Sequence, residues 1–494
     1  MLEMLKSNQD SLPQSIEPVD AGGYHIMTWG CQMSEEDSEQ MALYLEQMGF
    51  YKVEDASDAR IVLLNTCSVR AKPEEKVWSE LGRLKEIKKT RPDMIIGVCG
   101  CMAQVKSDEL LSRCPHVDII VGTGNISDLP SLISQAINPS DGSHSFLSGE
   151  EYISKPSKRA GGIIQLSSLS LPPRRGAVVS DVPARVTERK PKLKAHVPVM
   201  YGCDKFCTFC IVPLTRGRER SRPTLDILDE IRLLARNGTK EITLLGQTVN
   251  SYGKNLPEGR VPFYKLLEMI DAVPGIERIR FTSPYPRDFT DELIDTLSAL
   301  PSVCEHIHLP LQVGDDSLLA QMHRGYTLEQ FFAIVTKLRK KIPSIAITTD
   351  LMLGYPGETD QQFCNTLKIV EEVRFDSAYM FAYSPRPNTK AAEMENQVPH
   401  PVKIARLQEL ISLQNRITCE INASQIGSLA EVLVEGRSLK DARRLSGYSR
   451  TFKMVHFSAP KVGADTLTGK TVQVLLKESQ LTGFIGEIQK ESSD

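Results

Sequence analysis

Apolar positions follow two rhythms along this chain. Between Tyr24 and about Ile137, continuous apolar runs (YHIMTWG, RIVLLNT, MIIGVCG, VDIIVG) alternate with stretches such as Glu35–Met48 and Pro73–Lys89, whose apolar residues recur every three or four positions. Short apolar runs between turns are buried strands and the three-and-four spacing is an amphipathic helix, so this segment predicts a βαβα order and a parallel sheet covered by helices. From about Asn138 to Lys194 the periodicity is lost, and Ser, Pro, Gly and mixed charge take over (SGEEYISKPSKRAGG, LPPRRGAVVSDVPARVTERKPKLK). That composition reads as a long, mobile linker. The rhythm resumes at His196, where HVPVM, EITLLG, RIRFTS, HIHLPL, IAITTDLML and SAYMFAY alternate with helices such as Thr224–Asn237 and Asp360–Val373. These β/α units predict a partial (β/α)6 barrel, with its chemistry at the C-terminal ends of the strands. After a helical stretch near Val402–Ala423, short β-rich runs (AEVLVEG, FKMVHF, TVQVLL, TGFIGE) split by turn residues predict a small all-β barrel. The expected class is α/β, with an N-terminal sheet domain over 22–137, a linker over 138–194, a barrel core over 195–423 and a β-barrel over 424–489.

Composition narrows the function classes. A length of 494 residues suits about three domains at roughly 100–200 residues each. Lys+Arg 59 against Asp+Glu 62 leaves a formal net charge of -3, so any nucleic-acid contact needs a local basic surface. The N-terminus has no basic-then-apolar leader, and no uncharged apolar run reaches the roughly 18 residues of a membrane span, so a cytoplasmic protein with no membrane partner is expected. Cys 11 is an odd count without an export signal, which argues for thiols or metal ligands and against a disulfide framework.

Two sets of cysteines carry candidate chemistry. Cys203, Cys207 and Cys210 stand in GCDKFCTFC just after the first strand of the second β/α series. Thiolates this close repel one another unless a cation holds them. Iron–sulfur clusters take four cysteines as a rule, so three would leave one iron open to another ligand; a structural zinc completed by a further Cys or His is the alternative. Cys31, Cys67 and Cys101 each lie just past one of three successive strands. Such strand ends converge on the crevice of an open parallel sheet, which brings the three thiols together as a second cluster site. The alternative is that some are small buried hydrophobes. Cys99 and Cys114 are assigned to packing, and Cys304, Cys364 and Cys419, without partners at ligand spacing, to structure.

The order Cys203, Cys207, Phe209, Cys210 resembles the signature of the radical S-adenosylmethionine superfamily. The resemblance implies a 4Fe-4S cluster whose open iron binds S-adenosylmethionine and whose electron cleaves it to a 5'-deoxyadenosyl radical. Gly246 and Gln247 resemble the segment that holds the cofactor's amino group, and Ser283 and Gly314 fall where such enzymes hold ribose and adenine. TWGCQMSEEDSE, NTCSVRAKPEEKV, GVCGCMAQ, GCDKFCTFCIVPLTRGRERSRP, LLGQTVNSYG and FAYSPRPNTKAA together resemble the methylthiotransferase family over Tyr24 to Glu487, and the C-terminal barrel resembles a TRAM domain. One departure is Val313-Gly314-Asp315, where the family often has Ser-Gly-Ser.

This resemblance implies a second 4Fe-4S cluster on Cys31, Cys67 and Cys101, which holds the sulfur to be inserted, and a further S-adenosylmethionine that supplies the methyl group. The segments look most like the branch that methylthiolates N6-isopentenyladenosine next to the anticodon of tRNA. Sister activities act on threonylcarbamoyl-adenosine in tRNA or on an aspartate of a ribosomal protein. The expected partners are the tRNA anticodon stem-loop and an electron donor such as flavodoxin or ferredoxin, with the chain a monomer.

RNA contacts are sought where positive charge collects. Residues 424–489 hold nine Lys and Arg against six Asp and Glu, and Arg443, Arg444, Arg450 and Lys453 are candidate phosphate contacts. Tyr448 and Phe452 among them are candidates to stack on bases, or else lie in the barrel core. Arg216, Arg218, Arg220 and Arg222 form a denser cluster after the Cys203 loop and read as RNA or cofactor contacts, with ion pairing to Glu219 and its neighbours the alternative. A non-enzymatic reading is an RNA-binding protein stabilised by zinc.

Overall fold

The computed structural model describes residues 22–68, 71–138, 164–166, 182–439, 441–458 and 464–489. The chain forms two compact units, one of residues up to Ser170 with Pro183–Val186, the other of the remainder.

The first unit is a parallel sheet of β1 (Gly23–Trp29), β2 (Tyr51–Lys52), β3 (Ile61–Thr66), β4 (Ile95–Gly100), β5 (Ile119–Val121) and β6 (Ile164–Leu166), in the order β2-β1-β3-β4-β5-β6. Every residue of β3 and β4 is buried, which is why those strands read as unbroken apolar runs. Alternate side chains go to opposite faces. Val62, Leu64, Ile96 and Val98 pack with Val77, Leu81 and Leu84 of the helix Ala71–Thr90. Ile61, Leu63 and Ile95 pack with Met41 and Leu45 of the helix Gln32–Gln47. Two strands beyond the four legible in the sequence, β2 and β6, form the sheet edges and are too short to carry a pattern of their own.

β6 also corrects the linker. Most of that segment lies outside the described residues, but Ile164–Leu166 pairs with β5, and Pro183–Val186 runs along the helix Gln32–Gln47. Gln40 both donates to the Val186 carbonyl (3.2 Å) and accepts from its amide (2.9 Å), Tyr44 donates to Ala184 (2.8 Å), and the buried side chains of Arg185 and Glu36 pair.

The second unit begins with β7 (Lys194–Pro198), followed by the short antiparallel pair β8 (Met200–Tyr201) and β9 (Arg220–Ser221). Then come β10 (Glu241–Leu245), β11 (Arg278–Phe281), β12 (His306–His308), β13 (Ala346–Leu353) and β14 (Ser377–Ala382). The parallel sheets β7-β10-β11 and β12-β13-β14 are joined where the Ile279 amide donates to Ser302 (2.7 Å) and the Cys304 amide to Ile279 (3.1 Å). These strands with their helices form the expected incomplete barrel around one apolar core. A long helix, His400–Ala423, leads to a closed barrel of β15 (Leu429–Arg437), β16 (Leu445–Ser449), β17 (Met454–Ser458), β18 (Thr471–Gln480) and β19 (Gly483–Ile488), in the order β15-β16-β17-β19-β18.

The small barrel sits against the N-terminal ends of the parallel strands, opposite the cysteine loop. Arg278 of β11 donates to the carbonyls of Tyr448 (2.7 Å) and Glu431 (3.2 Å), and Arg280 to those of Arg450 (2.9 Å) and Ser449 (2.8 Å). Both guanidiniums face the buried Glu241 carboxylate, so the contact is charged and desolvated at once. Arg450 returns the contact to Glu305 (2.7 and 2.9 Å), and Lys453 reaches Asp376 (2.9 Å) and Asn422 (2.7 Å). Phe452 stacks between Tyr448 (4.8 Å) and His306 (4.9 Å) at this seam. Arg450, Lys453, Tyr448 and Phe452 therefore bind the two barrels together and lie outside the core of the small barrel. Charge density in the sequence could not distinguish a basic seam from a basic surface.

Candidate functional site

In the first unit, Cys31 follows β1, Cys67 follows β3 and Cys101 follows β4, at the crevice beside the strand-order reversal. The turn after β4 depends on Gly100. Its φ of +87° is left-handed, and a Cβ there would lie 2.3 Å from Asn65 Oδ1 and 2.9 Å from the Thr66 carbonyl. Asn65 ties β3 to the first turns of the helix Gln32–Gln47 through Ser34 O (2.8 Å) and Ser38 Oγ (2.9 Å). Cys31 caps that helix, its sulfur 3.6 Å from Ser34 Oγ. The three thiols meet: hydrogen bonds with Cys101 and Cys31, reinforced by burial, raise the Cys67 pKa far above that of an ordinary thiol. Cys99 and Cys114 are buried in the packing layers as expected, whereas Cys364 and Cys419, assigned to structure, are exposed on helices.

In the second unit the cysteine loop is fixed residue by residue. Gly202 enters it at φ +74°, where a Cβ would lie 2.0 Å from the Arg218 carbonyl. The Cys203 amide donates to Gly217 (3.1 Å) and the Cys210 amide to Cys207 (3.0 Å). Asp204 accepts both arms of Arg218 (2.6 and 3.1 Å). Lys205 is buried against Asp288 (2.7 Å) and Ser251 (2.9 Å). Phe206 adopts φ +51°, and its carbonyl lies 3.2 Å from His323 Nδ1. Thr208 bonds Tyr355 (2.8 Å), and Phe209 packs on the core.

Burial, then the neighbouring Cys210 and Cys207, push the Cys203 thiol up, while burial, then Cys207, push Cys210 up to about 12. Without a metal these thiols stay protonated; iron bound to them would displace the protons. Arg324, which the sequence reading passed over, lies buried beside the loop with Nη1 3.4 Å from Cys207 Sγ. Its other hydrogen bonds go to the neutral oxygens of Pro310 (3.1 Å) and Tyr326 (3.1 Å). No periodicity marks such a residue, since only the fold brings it back to the loop.

Among the described residues, no group of three or more His, Cys, Asp or Glu side chains is arranged to hold a single metal ion. Each cysteine set has the donor chemistry for a cluster with one corner open: three thiols from separate backbone positions, and in the second unit a buried cation to balance their charge.

The remaining candidates divide. Gln247 Oε1, just past β10, is buried with no partner among the described residues, as an acceptor awaiting a donor would be. Ser283 holds a left-handed φ of +54° at the end of β11. Gly246 lies against Met200, whose Cγ would be 2.7 Å from an added Cβ. Gly314 is glycine for packing: a Cβ would fall 2.6 Å from Thr366 Cα, and its amide donates to Thr366 Oγ1 (3.0 Å). The arginine cluster is not a basic surface. Arg216 and Arg220 are buried, Arg218 holds Asp204, and Arg222 pairs with Glu230 (2.8 Å) and donates to Pro198 (2.7 Å). Arg443 and Arg444 stand outside the barrel seam, Arg443 exposed, and both pair with Asp441.

Comparison with known proteins places this arrangement. Residues 23–122 match the uncharacterized protein family UPF0004, and residues 197–370 match the radical SAM superfamily. The chain is 44% identical over 460 residues to the tRNA-2-methylthio-N(6)-dimethylallyladenosine synthase of Carboxydothermus hydrogenoformans, covering 93% of this chain and 97% of that one. It is 42% identical over 467 residues to the Moorella thermoacetica enzyme of the same name, covering 94% and 98%. Among solved structures, the radical S-adenosylmethionine methyltransferase TsrM from Kitasatospora setae shares the fold at 14% identity, with a TM-score of 0.50 over 75% of this chain and 74% of that one. With its two cysteine sets at parallel strand ends and 42–44% identity to these enzymes over 93–94% of its length, the chain belongs to the tRNA-2-methylthio-N(6)-dimethylallyladenosine synthase family of the radical SAM superfamily.

Proposed function

We propose that this protein inserts sulfur and a methyl group at C2 of N6-isopentenyladenosine beside the anticodon of tRNA, with Cys203, Cys207 and Cys210 holding one 4Fe-4S cluster and Cys31, Cys67 and Cys101 holding another. The observation that carries this reading is that each unit gathers three thiols at the C-terminal ends of its parallel strands. An adenine C2–H offers no acid or base a grip, so side chains alone are not equal to the task and a cofactor carries the bond-breaking step. When bound, the cluster on Cys203, Cys207 and Cys210 would supply the electron that cleaves S-adenosylmethionine, and the one on Cys31, Cys67 and Cys101 would supply the sulfur.

The chain's own residues do the rest. Asp204 with Arg218, and Lys205 with Asp288, hold the loop so that the three sulfurs are preset. Arg324 sets a buried cation against Cys207 Sγ, where it would offset the charge of a bound cluster. Gln247 Oε1 would accept from the ammonium group of S-adenosylmethionine, with Phe209, Gly246 and Ser283 as the lining of the same cofactor site; Gly314 would support it by seating the helix Asp360–Val373. Residues 22–137 form the sulfur-carrying domain, 195–423 the radical core and 424–489 a TRAM-type barrel. Arg443 and Arg444 contribute its phosphate contacts, since Arg450 and Lys453 are committed to the seam. Among the described residues no helix is long and apolar enough to cross a membrane. The enzyme works in the cytoplasm with its tRNA and a flavodoxin- or ferredoxin-type electron donor.

Anaerobically reconstituted protein is expected to carry iron and sulfide in equal amounts, roughly eight of each per chain. Metal analysis and visible absorption check this. Colourless protein that holds only zinc would replace the reading with a zinc-stabilised RNA-binding protein.

A further inference from the structure

Phe206 is an unusual residue in an otherwise committed loop. Asp204, Lys205, Thr208 and Phe209 are each bonded to or packed on other elements, yet the Phe206 residue is 44% exposed. It is also held at φ +51°, a conformation bulky residues rarely adopt. Backbone strain of this kind persists only where the surroundings enforce it, as at ligand clamps. The enforcement is visible: the ion-paired Asp204 and Lys205 precede it, and His323, itself at φ +60°, meets its carbonyl. The ring is not left to roam. The Arg218 guanidinium, fixed by its two bonds to Asp204, lies 5.2 Å from the ring centroid.

A rigid phenyl ring backed by a cation and open to solvent is how proteins receive an unpaired base, because every base has a π-face and arginine strengthens the stack. Its position decides which ligand. Phe206 immediately precedes the cluster ligand Cys207, so whatever stacks on it is delivered to the edge of the radical-generating site.

We infer that Phe206, backed by Arg218, is the platform on which an unpaired base of the tRNA anticodon loop stacks during the reaction. The inference rests on the tRNA-modifying reading above, and it gives Arg218 a part in RNA recognition through the ring in place of a phosphate contact.

The test is fluorescence anisotropy of a labelled anticodon stem-loop carrying isopentenyladenosine, titrated with the full-length, cluster-reconstituted enzyme at one fixed salt concentration. Phe206→Ala is expected to weaken binding roughly 5- to 100-fold. Phe206→Tyr, which keeps the ring, is expected to stay near the unsubstituted protein. Iron content and S-adenosylmethionine cleavage without RNA are expected to be unchanged in both. If Phe206→Ala loses iron, Phe206→Leu is compared in its place, since it keeps apolar bulk and loses the π-face.

Equal affinity of the iron-loaded Ala or Leu variant and the unsubstituted protein would overturn the inference. So would equal weakening in Phe206→Tyr, which would assign the effect to loop geometry. Failure of the unsubstituted protein to bind the stem-loop would instead remove the tRNA reading and the inference with it.

Discussion

Replacing Cys203, Cys207 and Cys210 together by Ala is expected to abolish reductive cleavage of S-adenosylmethionine, a loss of at least about 10³-fold, or about 4 kcal/mol in the barrier. The size of the effect follows from the site. These cysteines are the three thiols of a loop held by specific contacts, from the Gly217 carbonyl under the Cys203 amide to Arg324 against Cys207. No neighbouring group can replace them: Asp204 and Lys205 are tied into ion pairs, and Cys304 lies at the opposite end of the strands. The measurement is 5'-deoxyadenosine released by reduced, reconstituted protein. Circular dichroism separates lost chemistry from lost fold, because the apolar core of this unit does not include the loop sulfurs. Cleavage that survives the triple substitution would remove the radical assignment from this loop.

The second large effect separates the two clusters. With Cys31, Cys67 and Cys101 replaced by Ala, S-adenosylmethionine cleavage is expected to persist, while the 2-methylthio product falls by at least about 10³-fold. The two units have separate cores, so the radical loop keeps its packing when Cys31, Cys67 and Cys101 are replaced. Removing this set also bears on folding, since Cys67 and Cys101 are buried at the end of the sheet whereas Cys31 is exposed. Ser in place of Ala at Cys67 and Cys101 keeps the volume and serves as a control for stability. Product formed at the unsubstituted rate would mean that inserted sulfur comes from elsewhere. Loss of cleavage in a well-folded variant would mean that the sets are not independent.

What the sequence revealed depended on how local each signal was. β3 and β4 were legible because all of their residues are buried, and the six strands of the partial barrel because each is followed by a periodic helix. The cysteine sets were legible because ligand spacing and strand-end placement are themselves sequence features. Long-range partnership was not. The charges of Arg450 and Lys453 suggested RNA, yet Glu305 and Asp376, more than seventy positions away, claim them. Gly314 resembled a cofactor glycine, but its lack of a side chain answers to Thr366 on a later helix. Arg216, Arg218, Arg220 and Arg222 formed a dense run that the fold turned inward. In the same way β6 was hidden in an aperiodic segment, because three residues on a sheet edge cannot establish a rhythm. Arg324 and Phe206 carried no motif outside their neighbours' and became visible only through their distances and exposure.

Mass spectrometry of nucleosides tests the assigned reaction most directly. Transfer RNA bearing N6-isopentenyladenosine would be incubated anaerobically with the reconstituted protein, reductant and S-adenosylmethionine, then digested. The expected result is 2-methylthio-N6-isopentenyladenosine formed with consumption of the substrate nucleoside. S-adenosylmethionine cleavage with the isopentenyladenosine left unchanged would contradict the substrate while leaving the radical chemistry in place. Threonylcarbamoyl-adenosine tRNA and the ribosomal protein would then be the substrates to try.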